Sequence, residues 1–159
     1  MKVTIDSEQV RRTFSAYPVQ SIRVLHRLIE SSAIDVQRKM REEAPVGATG
    51  DLRRSIKYRM DRSNLGAEIW PDISYAPYVE SGTRPHWTSI KEGTSLRKWA
   101  KHKGFDEAGM RNLQLSIASK GTKANPFVKP TFDTMKPRVE RDIISGFSRF
   151  VERVNQGNI

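Results

Sequence analysis

From residue 19 to residue 43 the apolar positions recur at intervals of three and four. Ile22, Leu25, Ile29, Ala33, Val36 and Met40 fall on one stripe of a helix. Ala44-Pro45 ends the run, since a proline disfavours helical geometry at the residue before it. The pattern predicts a helix of about six to seven turns. Upstream, Val3 and Ile5 alternate with polar residues, which predicts a short edge strand or arm over residues 1–18. Downstream, Gly47 and Gly50 open a loop. Lys57-Tyr58-Arg59-Met60 and Ala67-Glu68-Ile69-Trp70 then alternate around Ser63-Asn64-Leu65-Gly66, the signature of a β-hairpin with a slightly long turn. Residues 74–81 read as a strand passing into a helix that ends at Gly82.

The pattern changes at residue 84. Ser95 to Lys103 predicts a short basic helix closed by Gly104. Glu107 to Lys120 predicts a second, with Met110, Leu113 and Ile117 on one face, closed by Gly121. From Pro130 to Val154, Phe132, Met135, Val139, Ile143, Phe147, Phe150 and Val154 again repeat at threes and fours. Pro130 suits a first turn, whereas Pro137 predicts a kink or a late start. Residues 156–159 read as a frayed end. The fold class is α+β, a small antiparallel sheet of three to four strands packed by a long N-terminal and a C-terminal helix. One domain, 1–159, divides into an arm (1–18), a helix-plus-hairpin core (19–83), a basic insertion (84–124) and the C-terminal helix (125–159).

Charge sharpens this plan. The 159 residues carry a net charge of +10. Residues 63–83 hold 3 acids and no base, whereas residues 84–129 hold 10 bases and 3 acids. The insertion therefore faces, or tolerates, something acidic, and both nucleic acid and an acidic protein ring qualify. Trp87 and Trp99 read as anchors of the insertion, with the lysines solvated outside. Cysteine is absent, so thiolate chemistry and disulfides are excluded. With no run of apolar residues long enough for a membrane span and no signal-peptide core at the N-terminus, a soluble intracellular product is expected.

Catalytic signatures are missing. No nucleotide-binding glycine loop, HExxH or CxxC occurs. His26, His86 and His102 are scattered. His86, Glu92 and His102 lack usual zinc spacing, and Asp72 and Glu80 read as loop charges rather than an acid–base pair. No cofactor and no enzymatic activity are expected. As a helix-turn-helix DNA reader the insertion lacks a clear recognition helix. Arg97, Lys98, Lys101 and Lys103 around Trp99, next to Arg84, His86 and Trp87, nevertheless support an alternative, a stand-alone cytosolic protein binding nucleic acid without sequence preference.

Three phrases occur in order. The first is Ala44-Pro45 followed by Thr49-Gly50-x-Leu52-Arg53-x-Ser55-Ile56. The second is Tyr75-Ala76-x-Tyr78-Val79-Glu80-x-Gly82-Thr83. The third is Pro126-Phe127-x-x-Pro130. Together they resemble the tail-completion, or head–tail joining, proteins of long-tailed phages, the Hong Kong 97-like family of minor tail or neck components. Trp99 to Gly104 and Lys120-Gly121-Thr122 are similar to its long form. One departure is Thr131-Phe132, where the family often has a small residue.

The resemblance implies a non-catalytic virion protein, made in the host cytoplasm. It implies a ring, often sixfold, between the capsid connector and the tail tube. Its implied partners are copies of itself, the connector or stopper ring, and the tail terminator or tail tube. Contact with packaged DNA is an open expectation, and no membrane is involved. The expected contact residues are Thr49, Gly50, Leu52, Arg53, Arg54, Tyr75, Tyr78, Glu80, Gly82, Thr83, Pro126 and Phe127. Arg84, Lys91, Arg97, Lys98, Lys101 and Lys103 are the candidates facing DNA or an acidic ring.

Physically, Gly50 and Gly82 suit backbone that a side chain would penalise. Leu52, Ile56, Tyr75, Val79 and Phe127 are expected to cover the sheet. Glu80 is expected to pair with Arg53 or Arg54, or to bridge neighbouring subunits.

Overall fold

The computed structural model describes residues 7–61, 63 and 65–158. Helices α1 (Ser7–Ala16), α2 (Pro18–Glu43) and α3 (Asp51–Ser55) precede strands β1 (Ile56–Asp61) and β2 (Gly66–Pro71). Helices α4 (Ala76–Ser81), α5 (Ser95–His102), α6 (Glu107–Lys120) and α7 (Val128–Asn155) follow. The class is α+β, as the periodicities predict. Among the described residues the sheet has two strands, not three or four. The segment expected to add another strand is α4, whose first turn accepts Pro77 because that position needs no N–H.

The chain forms two compact units. The first comprises residues up to 39, residues 58–70 and residues from 131 onward. Its core is Phe147, Phe150 and Val151 of α7, packed by Val10 and Phe14 of α1 and by Val24, Leu25 and Leu28 of α2. Phe14 stacks on Phe147 with ring centroids 5.3 Å apart. The α2 stripe thus begins at Val24, and Ile22 is exposed. Gly146 lets α2 approach closely, since a Cβ there would lie 2.4 Å from Leu28 Cδ2.

Two expectations at the ends of the chain are corrected. The arm predicted for residues 1–18 is helical from Ser7 to Ala16, and Val3 and Ile5 lie outside the described residues. Residues 156–158 close α7 instead of fraying. Gly157 N–H donates to Val154 O at 3.0 Å and Asn158 N–H to Arg153 O at 2.9 Å, with Gly157 at φ +73°. Helix α7 also starts two residues before Pro130 and runs unbroken through Pro137. At the departure from the family pattern, Thr131 is buried and Phe132 points outward.

The second unit comprises residues 40–57 and 71–130. Met40, Ala44, Leu52, Ile56, Ala76, Ala100, Met110, Ile117 and Phe127 are its buried apolar residues. Caps fix the two insertion helices where the pattern places them. The Thr94 side chain accepts from Arg97 N–H ahead of α5, and Asp106 accepts from Gly109 N–H at 2.7 Å ahead of α6.

Candidate functional site

The three sequence phrases all lie in the second unit, apart from the α7 turns beyond Pro130. The first phrase is built around Asp51, the opening residue of α3. Gly50 precedes it at φ +70°, a left-handed conformation that a Cβ would penalise. The Thr49 hydroxyl and the Arg54 guanidinium both donate to the Asp51 carboxylate. These bonds hold its pKa below the ordinary value, with help from the charges of Arg54 and Lys98. Arg53 turns the other way. Its Nε donates to Ala44 O at 2.7 Å and its Nη2 to Glu42 O at 3.2 Å, so it covers carbonyls at the end of α2. Arg41 likewise donates to Ile56 O at 2.8 Å.

Glu80 in the second phrase reaches the third. One carboxylate oxygen accepts from the backbone N–H of Phe127 at 2.7 Å and of Val128 at 2.9 Å. The other accepts from Lys129 N–H at 3.0 Å. These are the unsatisfied donors at the start of α7, and a negative charge belongs there. Burial pushes the Glu80 carboxyl up, but the three N–H groups outweigh it and leave the pKa below its ordinary 4.5. Asn125 N–H adds a bond to Val79 O at 2.8 Å. The expected pairing of Glu80 with Arg53 or Arg54 is therefore overturned. Backbone donors leave no mark in a sequence, whereas arginines do.

Beside Glu80 the insertion closes on itself. Thr83 and Thr122 form an antiparallel bridge, with N–H···O distances of 3.1 and 3.2 Å and hydroxyls 3.0 Å apart. A glycine stands on each side of this crossing. A Cβ on Gly82 would fall 2.4 Å from Thr122 O, and one on Gly121 would fall 1.9 Å from Thr83 O. Beyond the bridge the segment follows α6: His86 N–H donates to Ile117 O at 3.3 Å and Gln114 Nε2 to Thr88 O at 2.6 Å.

Other expected site residues divide by exposure. Leu52 and Phe127 are core. Tyr75 is 37% and Tyr78 61% exposed, so both present aromatic surface. Burial and the Asp51 charge still raise the Tyr75 pKa. Pro126 is exposed.

Among the basic candidates Arg97 is a brace, not a free contact. Its guanidinium bonds Glu107, lies 3.2 Å from Glu92, and reaches Ile90 O at 3.2 Å. Lys101 pairs with Glu92 at 3.0 Å. Arg84, Lys91, Lys98 and Lys103 are exposed. Trp87 is 68% exposed, not the buried anchor expected, whereas Trp99 packs against Phe105 with centroids 5.9 Å apart.

Among the described residues no group of three His, Asp or Glu side chains can hold a metal ion. No helix among them is long and apolar enough to cross a membrane.

Comparison with the curated proteins and with the solved structures found no match. A family match covers residues 8–82, with the description "Bacteriophage HK97-gp10, putative tail-component". It includes the first phrase and the second as far as Gly82, and it stops one residue before the Thr83–Thr122 bridge. Residues 8–82 of this chain are similar to the HK97-gp10-like family of bacteriophage tail components.

Proposed function

We propose that this tail component is a non-enzymatic structural subunit of the phage neck. Copies form a ring, sixfold in the closed assembly, between the capsid connector and the tail tube. The stopper or connector ring lies on one side and the tail terminator or tail tube on the other. The protein is made in the host cytoplasm and carried in the virion.

The observation that carries this reading is the family match over a segment whose fixed residues serve shape, not chemistry. Asp51, Arg53 and Glu80 all satisfy backbone or neighbouring groups of the same chain. They leave no nucleophile, base and orienting group converging on one point. What they hold rigid is an exposed rim containing Tyr75 and Tyr78, the residue type that carries binding energy at interfaces.

Charge does not draw the copies together. The acids of residues 63–83 are all committed internally: Glu68 to Arg59, Asp72 to Lys57 and Glu80 to α7. Each copy carries +10, so ring contacts depend on shape and apolar rim residues, and the neighbouring ring is expected to be acidic.

Deleting the gene from its phage tests the reading. Electron microscopy of the lysate is expected to show filled heads and finished tails that stay apart, with joining restored when the chain is supplied in trans. Joined, infectious particles in its absence would overturn the proposal and favour the stand-alone nucleic-acid-binding alternative.

A further inference from the structure

The insertion's charges are divided unequally between internal and external use. Every acid from residue 71 to residue 130 has an internal partner. Asp72 holds Lys57, Glu80 holds the start of α7, Glu92 and Glu107 hold Arg97, and Asp106 caps α6. Three cations lie within two residues of the bridge that closes the insertion. Arg84 follows Thr83, and Lys120 and Lys123 flank the Gly121-Thr122 side of the same bridge. All three are exposed, and among the described residues no ion pair holds any of them.

Their setting is fixed. The bridge pins both segments, Gly121 sits tight against the Thr83–Arg84 backbone, and the α6 tethers at His86 and Thr88 hold the residues that follow. The neighbouring exposed positions Ser119, Thr122 and Asn125 add hydroxyl and amide donors. None of residues 119–126 is an exposed large apolar side chain. A protein-docking core draws on such side chains, whereas a phosphate backbone is held by cations with hydroxyl and amide donors between them. Exposed Trp87 follows on the same segment, between His86 and Thr88, which are both tied to α6, and supplies an aromatic side chain of the kind that stacks on bases.

We propose that the bridged stem of the insertion is a sequence-independent DNA-backbone site, with Arg84, Lys120 and Lys123 as its phosphate-contacting cations. The site belongs to the single chain and stands or falls independently of ring assembly.

The test uses the full chain and a fluorescently labelled 24-bp duplex of random sequence, read by anisotropy across a salt series. The variant Arg84→Gln, Lys120→Gln, Lys123→Gln is compared with Arg23→Gln, Arg27→Gln, Arg149→Gln, which removes equal charge from exposed positions outside the insertion. Circular dichroism verifies that both variants fold.

The stem variant is expected to bind at least about tenfold more weakly at 100 mM salt. Its log–log salt slope is expected to fall by about 2.7, the release of roughly 0.9 ion per lost contact. The control is expected to stay within about twofold of the parent, a difference too small to mark a lost phosphate contact. Equal losses in both variants would reduce the effect to net charge and overturn the site. Tighter binding of poly-L-glutamate than of the duplex at the same salt would assign the stem to an acidic protein instead. No duplex binding by the parent would also overturn it.

Discussion

Replacing Glu80 by glutamine keeps size and shape but removes the charge and one of the two acceptor oxygens. In the parent three backbone N–H groups converge on that carboxylate at 2.7, 2.9 and 3.0 Å. Glutamine turns its NH₂ toward at least one of these donors and leaves that N–H unpaired beside the buried Phe127. A hydrogen bond to a charged group contributes about 1.5–3 kcal/mol. The favourable position at a helix N-terminus contributes about 0.3–1 kcal/mol of overlapping energy. The expected loss for Glu80→Gln is therefore about 2 kcal/mol, or about 4–8 °C in melting temperature for a chain of this size.

The pH dependence gives a second handle. The Glu80 pKa is lowered on folding, so its contribution is fully present above the ordinary 4.5 and is lost as pH falls through the folded value. Thermal melts of parent and Glu80→Gln followed by circular dichroism should differ at pH 7 and converge as the pH drops below 4.5. A variant melting within about 1 °C of the parent at pH 7, where the expected shift is several degrees, would refute the capping role. A gap undiminished in acid would refute its electrostatic origin.

Two further substitutions probe backbone and packing. Gly121→Ala places a Cβ 1.9 Å from Thr83 O at φ +75°, and should cost more than about 2 kcal/mol in a urea melt. Gly104→Ala, at φ +81° but in open space, should cost only about 1–2 kcal/mol; equal losses at the two sites would count against the tight crossing. Gly146→Ala strains Leu28 on α2, so it should destabilise alone and much less in a Leu28→Ala background, with a coupling of about 1 kcal/mol in a double-mutant cycle. Strict additivity would mean that Leu28 moves aside freely.

Much of the helical frame is legible in the sequence because period and punctuation agree. Helix α6 lies between Asp106 and Gly121, and its buried Met110 and Ile117 keep the helical spacing that predicts it. Helix α1 carries the same signal in Val10 and Phe14, four apart and both on the Phe147 cluster. It is obscured by the alternation of Val3 and Ile5 just upstream and by a proline that reads as a loop end yet opens α2. The missing strand has a similar origin, since Tyr75 to Ser81 holds β-favouring residues but also a proline that suits a first helical turn.

At the candidate site, sequence spacing identifies which phrases matter but not how they connect. Arg53 and Glu80 both spend their charge on main-chain groups. A main-chain group looks the same at every position of a sequence.

The crossing of Thr83 and Thr122 has a consequence for how such chains can vary. The excursion leaves and returns at two points one hydrogen-bonded rung apart, and loop-closure entropy changes only slowly with length. Whatever hangs beyond that rung can be lengthened, shortened or exchanged at little cost to the Glu80 cradle or to the matched segment that ends at Gly82. The rung therefore works as a socket. Behind it lies the segment that resembles phage tail components, and in front of it a cartridge that can be exchanged without redesigning that segment.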